Sequence, residues 1–467
     1  MNYQIYHHQI ICRGMAALVM MILLTFTSCQ KEFLDKKPDR SRLVLNSLAD
    51  YRAVLDYNGF FSAPALMEMS ADDFYASDDA VTPLSQIEIS AYTWAPDMFT
   101  GQSVVTDWNT PYRHVYLSNV VLDGLAELNS AEQAPKEYSY LRGTALFQRA
   151  FAYFTLSQIF IPPYDPRTAG NQAGLALRLV ADVNAHPPRS TVQQTYDQIL
   201  KDLQESYLLL PDQVEYKHRP CKAAALALLA RVYLSMGDYA NAGSNADKAL
   251  QIRSELLNYA DIKWNANDRL FPSALPNGNA EVIFYKGSII YQIPTASGLA
   301  GVVPALYNSY ASDDLRKSMF FRDRLNGFFS IRNTYGGTVN PALFTGLATD
   351  ELYLIRAECE ARAGRLTNAL ADINKLLLNR WTRGKYVDYA SNDQEAVLRM
   401  ILQERRKELV GRCLRWTDLR RLNLDSRFKV DLSRSYKGRT FTLPANDNRY
   451  TYPIPDYEVQ AGMQPNP

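Results

Sequence analysis

Residues 349–380 constrain the fold of this chain most strongly, because their apolar side chains recur at helical spacing on both sides of a single glycine, Gly364. The first apolar stripe comprises Leu352, Ile355, Cys359 and Ala363, and the second comprises Leu366, Ala369, Leu370, Ile373, Leu376 and Leu377. Glycine is favoured where a helix ends in a left-handed turn. Helices this short are not stable alone in water, so the two apolar faces must bury each other. The pattern therefore predicts a helical hairpin.

The same pattern occurs at residues 222–251, where Gly237 occupies the turn. Aligning Gly237 with Gly364 places Ala242 on Ala369, and small residues at such positions let two helices approach closely. The spacing is that of a tetratricopeptide repeat, although any long helical hairpin rich in Ala and Leu would show a similar pattern.

A third hairpin, with an insertion at its turn, is expected at residues 141–210. Residues 141–160 are apolar nearly all round, which is typical of a helix buried between neighbours. Capping signals place the starts of further helices at Asn46, Ser190 and Ser391.

Two stretches, 60–107 and 252–348, lack helical periodicity and are rich in Gly, Pro, Asn and Ser. Within the second stretch, residues 281–285 indicate one short strand. A long segment without periodicity between two repeats is typical of an inserted functional lobe. The sequence therefore predicts a mainly α fold, in which a tetratricopeptide-like scaffold of helical hairpins carries a large irregular, loop-rich insertion.

The amino-terminal residues are typical of a secretory signal. Arg13 is followed by an apolar run at 15–26, which is too short to span a bilayer but fits a signal peptide. Small residues then precede Cys29, in a pattern similar to a bacterial lipobox, with cleavage before Cys29 and acylation of its sulfur and new amine. An uncleaved anchor or a chance cysteine is the alternative. We expect a signal peptide at 1–28, a lipidated leash at 29–45 and a single domain at 46–467.

Composition excludes several classes of protein. The 50 basic and 49 acidic side chains give a net charge of +1, so no field favours nucleic acid. No nucleotide-binding, metalloprotease or serine-hydrolase motif is present, and no cofactor is implied. No histidine lies at ligand spacing to the remaining cysteines, so we expect no metal site and place these thiols in the core: Cys221, Cys359 and Cys413.

Adjacent acids leave one enzymatic alternative open. A glycosidase needs only two carboxyl groups whose separation is set by the tertiary fold. Adjacent acids usually mark solvated loops, so we expect no catalytic residues, but a surface hydrolase stays possible on sequence grounds. The acid pairs are Asp72 with Asp73, Asp78 with Asp79, and Asp313 with Asp314.

Several segments together resemble the SusD/RagB family of outer-membrane nutrient-binding lipoproteins across essentially the whole mature chain. The matching segments are CQKEFLD at 29–35 with Pro38, AFAYF at 150–154, YDQILKDLQESYLLLP at 196–211, ERRKEL at 404–409, RWTDLRR at 415–421, YPIP at 452–455 and QPNP at 464–467. The chain departs from the family pattern at Gly411, Arg412 and Cys413, where many members have Phe-Glu-Gly, and in an altered carboxy-terminal ending.

The resemblance implies a lipid-anchored protein on the surface of the bacterial outer membrane. Such a protein would bind oligosaccharide and deliver it to a SusC-like TonB-dependent transporter, without catalysing a reaction. A peptide-binding member of the same architecture and an envelope scaffold lipoprotein are the alternatives. We interpret the charges of the ERRKEL segment as structural ties between the last long helix and its neighbours.

A neutral sugar needs flat rings against its C–H faces and fixed polar groups for its hydroxyls. The irregular stretches supply both, and Trp94 is the strongest single candidate because it lies outside any helical stripe. The predicted ligand-binding residues are Asp73, Tyr75, Asp78, Tyr92, Trp94, Tyr291, Tyr307 and Tyr310.

Overall fold

The computed structural model describes residues 45–76, 78, 84–128, 136–263, 271–272, 278–292, 300–324, 327–332, 335 and 342–467. The predicted signal peptide, Cys29, nearly all of the predicted leash, and Asp79 lie outside the described residues.

Helices dominate the described part of the chain. In chain order they are α1 (Leu48–Leu55), α2 (Leu66–Ser70), α3 (Gln86–Tyr92), α4 (Thr106–Glu127), α5 (Lys136–Phe160), α6 (Val192–Leu209), α7 (Lys222–Ser235), α8 (Tyr239–Ile252), α9 (Pro304–Asn308), α10 (Arg316–Phe320), α11 (Thr349–Arg362), α12 (Leu366–Leu378), α13 (Gln394–Glu408), α14 (Arg415–Leu422) and α15 (Asp456–Gln460). The predicted mainly α fold class is confirmed.

The strands are short and join only in pairs within the described residues. In chain order they are β1 (Ser62–Ala63), β2 (Phe74–Ala76), β3 (Ala173–Ala176), β4 (Arg189–Thr191), β5 (Val282–Phe284), β6 (Gly287–Ser288), β7 (Ala300–Val302), β8 (Phe321–Asp323), β9 (Phe329–Ile331), β10 (Leu347–Ala348), β11 (Leu432–Tyr436) and β12 (Arg439–Leu443). The pairs are β1 with β6, which is parallel, and the antiparallel β2–β7, β3–β4, β5–β10, β8–β9 and β11–β12. The strand expected at 281–285 is β5.

The long helices pack side by side in a row. Helix α5 lies between α4 and α6, α7 contacts α6 and α8, and α11 contacts α8, α12 and α13. The helices of all three predicted hairpins are therefore present, as α5–α6, α7–α8 and α11–α12. The main hydrophobic core includes side chains from the helices of this row and from the short elements of the irregular stretches.

Glycine and alanine explain the close packing of the α7–α8 and α11–α12 hairpins. Gly237 and Gly364 have φ angles of 74° and 76°, the left-handed conformation that glycine adopts without strain. Helix α8 then presents fully buried alanines to its neighbours. At Gly243, an added Cβ would lie 3.0 Å from the Cβ of Cys359, so glycine lets α8 approach α11 closely.

Three of the predicted helix caps are wrong by one or two residues. Ser47 caps α1, where its hydroxyl accepts a hydrogen bond from the Asp50 amide, and Asp393 caps α13. Helix α6 is capped by Thr191, because the hydroxyl of Ser190 instead donates to the Leu175 carbonyl across the β3–β4 pair. These corrections shift the expected starts at Asn46, Ser391 and Ser190.

Helix α13 is tied to distant parts of the chain by buried ion pairs, as predicted for the ERRKEL segment. Glu408 accepts from Arg316 at 3.0 Å and from Arg380 at 2.7 Å, and both guanidinium groups are fully buried. Arg405 pairs with Asp418 on α14 at 2.9 Å. We call these pairs, together with the contacts of Glu404, Arg406 and Lys407 to acidic and basic side chains, the α13 ion-pair network.

Replacing Glu408 by Gln tests this network. The change leaves two buried guanidinium groups with one partner fewer, and breaking a buried pair costs about 3–5 kcal/mol. We expect a loss of roughly that size in the free energy of unfolding, measured by guanidinium chloride denaturation. The control is Glu395→Gln, whose partner Arg399 lies half in solvent on the same helix. It should lose less than about 1 kcal/mol, and equal losses in the two variants would contradict the assignment.

Candidate functional site

Two phenylalanines of the β8–β9 hairpin each stack on a tyrosine from another part of the chain. The rings of Tyr75 and Phe328 stack with centroids 5.3 Å apart, and those of Tyr307 and Phe329 stack at 3.6 Å with planes 15° apart. All four side chains are half-exposed. We call these four residues the aromatic cluster.

Backbone pairing brings the two tyrosines to this hairpin from different parts of the chain. Tyr75 lies in β2, directly opposite Gly301 of β7. A Cβ at position 301 would lie 2.8 Å from the Tyr75 ring, so the glycine makes room for that ring. The chain continues from β7 into α9, which carries Tyr307. The two stacking partners, Phe328 and Phe329, are consecutive residues.

Polar side chains surround the Tyr307 half of the cluster. The Lys317 ammonium lies 4.7 Å from the centre of the Tyr307 ring and donates to the Tyr310 carbonyl. Partial burial and the nearby charge of Asp323 raise the pKa of Tyr307, so this phenol stays protonated at neutral pH. Arg324 donates to the Ser330 hydroxyl at 2.7 Å. Flat rings and fixed charged groups are thus combined at one half-exposed surface.

The structure places Trp94 and Tyr92 in the core and gives their binding prediction no support. Trp94 is 2% exposed, and its indole N–H donates to the Ser70 carbonyl at 2.9 Å. The Arg434 guanidinium covers the Trp94 ring at 4.0 Å and the Tyr92 ring at 4.4 Å. Trp94 lies outside a helical stripe because it forms the turn after α3, with a φ of 55°. Its position in a turn does not expose its ring.

Tyr310 and Asp73 are likewise buried, each with a structural partner. The Tyr310 hydroxyl donates to the Lys407 carbonyl at 2.7 Å. Asp73 accepts from Arg406 at 2.7 Å. Neither side chain is open to a ligand in this structure, so the prediction that they contact a ligand is unsupported as well.

The remaining two predicted residues lie away from the cluster's stacked rings. Tyr291 is half-buried and its hydroxyl donates to the buried carboxylate of Asp107. Asp78 is exposed and accepts from the Lys437 amide at 2.6 Å, next to the β11–β12 hairpin. Among the eight predicted residues, only Tyr75 and Tyr307 belong to the aromatic cluster.

Sequence reasoning missed Phe328 and Phe329. Trp and Tyr carry a polar tip that suits a wet binding surface, whereas Phe has none and gives no such signal in the sequence. A usable signal was present, since the dipeptide Asn326-Gly327 precedes the two phenylalanines and Asn-Gly between apolar runs is a strong hairpin signal. A hairpin predicted there would have placed two rings at its second strand.

Cys221, Cys359 and Cys413 are all buried free thiols. Across the described ranges, no group of three or more His, Cys, Asp or Glu side chains is arranged to hold a metal ion. None of the helices placed by the structure combines the length and apolar character needed to cross a membrane.

A row of helical hairpins with an irregular lobe defines a tetratricopeptide-like scaffold protein. A model of the SusD-like family described as "Starch-binding associating with outer membrane" matches residues 32–234, and a model of the SusD family matches residues 349–466. Together the two models cover more than half of the chain. The chain belongs to the SusD/RagB family.

Known relatives agree with this assignment. The SusD-like protein P2 of Formosa agariphila is 23% identical over 398 residues, which cover 72% of this chain and 74% of that protein. A crystal structure of a SusD superfamily protein from Bacteroides thetaiotaomicron has a TM-score of 0.71 at 20% identity and covers 90% of this chain and 100% of its own. A SusD-like carbohydrate binding protein from Bacteroides vulgatus has a TM-score of 0.68 at 19% identity, with 89% and 96% covered. At these identities the structural matches establish the fold.

Asp72 and Asp73, the two acids that directly precede β2, both form ion pairs with arginines. Asp72 accepts from Arg415 at 2.7 Å, while Asp73 accepts from Arg406. Burial alone would raise the pKa of Asp72, but the charges of Arg415 and Arg406 lower it overall. The expectation that adjacent acids mark a solvated loop is wrong here, because both carboxylates hold the irregular lobe against α13 and α14.

A third carboxyl group, Glu68 on α2, lies in the core near this acid pair. Burial, and after it the negative charge of Asp73, raise the pKa of Glu68 to about 8. The carboxyl group is therefore protonated in the folded protein at neutral pH, whereas in the unfolded chain it ionises near the ordinary glutamate pKa of 4.5. The folded state binds one more proton than the unfolded state between these two values.

Glu68→Gln tests this shift through the pH dependence of stability. In the native protein, the contribution of Glu68 is greatest below pH 4.5 and is lost as the pH rises to about 8. Glutamine does not titrate, so we expect the variant to gain stability relative to the native protein by roughly 3 kcal/mol between pH 5 and pH 8. Urea denaturation at both pH values measures the difference. If the difference in the free energy of unfolding between the variant and the native protein is the same at pH 5 and pH 8, Glu68 is ionised in the folded protein.

Proposed function

We propose that this protein is a non-enzymatic, cell-surface lipoprotein that binds oligosaccharide at the aromatic cluster and delivers it to a SusC-like TonB-dependent transporter in the outer membrane. The observation that carries the proposal is the meeting of Tyr75 and Tyr307, from two separate irregular stretches, at one half-exposed hairpin. Membership of the SusD/RagB family and the starch-binding description of the matching model support the ligand class.

The chemistry of the cluster suits a neutral sugar. The C–H faces of a pyranose pack against flat aromatic rings, and stacking on a ring that is already held in place costs little side-chain entropy. The rings of this cluster are held by their own stacking partners. Lys317 and Asp323 supply a charged donor and a charged acceptor beside the Tyr307 ring for sugar hydroxyls.

The state of the acid pair Asp72 and Asp73, which directly precedes β2, supports binding without bond cleavage. A glycosidase needs one carboxyl group to donate a proton and a second one to act as base or nucleophile, both in contact with the sugar. Asp72 and Asp73 are both paired with arginines, and Asp73 is buried. These acids support the scaffold and leave the cluster as a binding surface.

The peptide-binding alternative is supported by a groove of about 780 Å³ between the α7–α8 and α11–α12 hairpins. Such grooves in helical repeats accept peptides. Here the arginines that line the groove already pair with carboxylates, as in Arg356 with Asp247 and Asp372, and Arg365 with Glu360. The groove thus offers few unpaired polar groups, which favours the oligosaccharide proposal over a peptide ligand.

The binding function is tested by titrating the soluble protein, starting after Cys29, with oligosaccharides. The ligands are maltoheptaose and linear β-linked oligosaccharides of glucose, xylose and mannose. Removing one ring of the cluster, in Tyr307→Ala or in Tyr75→Ala, should weaken the bound oligosaccharide about tenfold, since each lost stacking contact is worth about 1.4 kcal/mol. Isothermal titration calorimetry gives the affinities.

The matched control for this titration is Tyr116→Ala, which removes an exposed tyrosine from α4, outside the cluster. It should bind like the native protein. Unchanged affinity in both cluster variants would rule out the cluster as the site. If no oligosaccharide binds and a peptide library does, the peptide-binding alternative is correct, and hydrolysis of any oligosaccharide would establish the surface hydrolase.

The proposed anchor at Cys29 has a separate test. Acylation of its sulfur and amine attaches several acyl chains, which hold a protein on a membrane where one chain would not. Cys29→Ser removes the lipidated sulfur, so we expect the protein to leave the outer-membrane fraction and to lose its protease accessibility on intact cells. Immunoblots of cell fractions measure both. Membrane retention of the variant would favour an uncleaved anchor, and an inaccessible native protein would favour an envelope scaffold.

A further inference from the structure

A cavity of about 330 Å³ lies between the segment 186–189 and the segment 458–464. The cavity is lined by three basic side chains, Arg178, His186 and Arg189, and by one acidic side chain, Glu458. Apolar contacts are provided by Pro187, Pro188 and Met463. None of these residues belongs to the aromatic cluster, so this cavity is a second, separate place where a ligand can be held.

Arg178 lines the cavity with a guanidinium group that forms no ion pair or side-chain hydrogen bond to any residue that the structure describes. Its guanidinium lies 5.1 Å from the centre of the Tyr112 ring, and its Nε is buried without a hydrogen-bond partner. No carboxylate among the described residues forms an ion pair with it. A guanidinium group has five N–H donors, and partly buried donors of this kind are normally satisfied. The Arg178 guanidinium lines the cavity without a carboxylate partner, so its charge can attract an anion that enters the cavity.

Arg189 adds positive charge with no carboxylate partner in the described part of the chain. Its guanidinium donates to three backbone carbonyls, those of Ala173 at 3.1 Å, Gly174 at 2.7 Å and Gln464 at 2.9 Å. Burial lowers the pKa of this arginine, which still remains charged at neutral pH. Carbonyl groups fix its position and leave its charge uncompensated beside the cavity.

Glu458 offsets only part of this charge. One of its carboxylate oxygens accepts from the indole N–H of Trp108 at 2.9 Å, which fixes the carboxylate against α4. The lining carries the charges of two guanidinium groups against one carboxylate. Several buried guanidinium groups elsewhere in the described residues meet carboxylates directly, as Arg316, Arg380 and Arg421 do, whereas neither arginine of this cavity does.

We propose that this cavity binds an acidic sugar unit, a residue that carries a carboxylate or a sulfate ester. Guanidinium groups prefer planar or tetrahedral oxyanions, which accept two N–H bonds at once. A volume of about 330 Å³ is at the small end of ligand pockets and suits one sugar unit. The proline and methionine side chains can pack against the sugar ring. This inference does not depend on the aromatic cluster being the oligosaccharide site.

The proposal is tested by calorimetric titration of the soluble protein. The ligands are sodium glucuronate, glucose and sodium sulfate, compared at matched ionic strength. We expect glucuronate to bind at least tenfold more tightly than glucose. Arg178→Gln should weaken glucuronate binding at least tenfold, and His186→Ala, which truncates an exposed side chain, should weaken it about threefold. Raising the salt concentration should reduce the affinity further, because the attraction is between charges.

The matched control is Arg113→Gln, because the Arg113 guanidinium also lies 5.1 Å from a tyrosine ring but outside this cavity. It should bind glucuronate like the native protein. Tyr307→Ala should do so as well, which separates this proposal from the one for the aromatic cluster. The proposal is overturned if glucuronate binds no better than glucose, if Arg178→Gln leaves its affinity unchanged, or if only free sulfate binds.

Discussion

The pairing of buried charges along α13 is the interaction on which the rest of the structure depends. A charge removed from water is tolerated only where a partner of opposite charge and further hydrogen bonds compensate for lost solvation. Along α13, successive charged residues reach in different directions, so that Glu408 meets Arg316 and Arg380, whereas Arg405 meets Asp418. Each pair fixes one segment of the chain, because moving that segment would leave a charge buried alone.

This network also determines where the aromatic cluster lies. Asp73 is held by Arg406 and directly precedes β2, which carries Tyr75. Arg316, held by Glu404 and Glu408, begins α10, and that helix runs directly into β8 of the hairpin. The two halves of the cluster are thus fixed to the same helix, and the scaffold sets the spacing of rings that belong to otherwise irregular segments.

Local pattern was enough to predict the scaffold, because its information lies within neighbouring turns of helix. Periodic apolar residues and a glycine such as Gly364 determine a hairpin without reference to the rest of the chain. The candidate site depends on tertiary pairing instead. Trp94 is covered by Arg434, a residue 340 positions away, and the contact of Tyr75 with Phe328 depends on the β2–β7 pair. No spacing in the sequence encodes either contact, so residue type alone selected four side chains that the fold buries.

The two proposed sites use different physical chemistry, and their combination bears on ligand class. Stacking on the aromatic cluster depends on the C–H face of a sugar and is nearly independent of charge, whereas the cavity at Arg178 depends on an anionic group. A net charge of +1 gives no long-range attraction for an acidic polymer. Selection between neutral and acidic oligosaccharides would therefore have to occur by contact, after encounter. Neither Arg178 nor Arg189 forms an ion pair with a carboxylate among the described residues, so these two guanidinium groups beside the cavity are the feature able to make that selection.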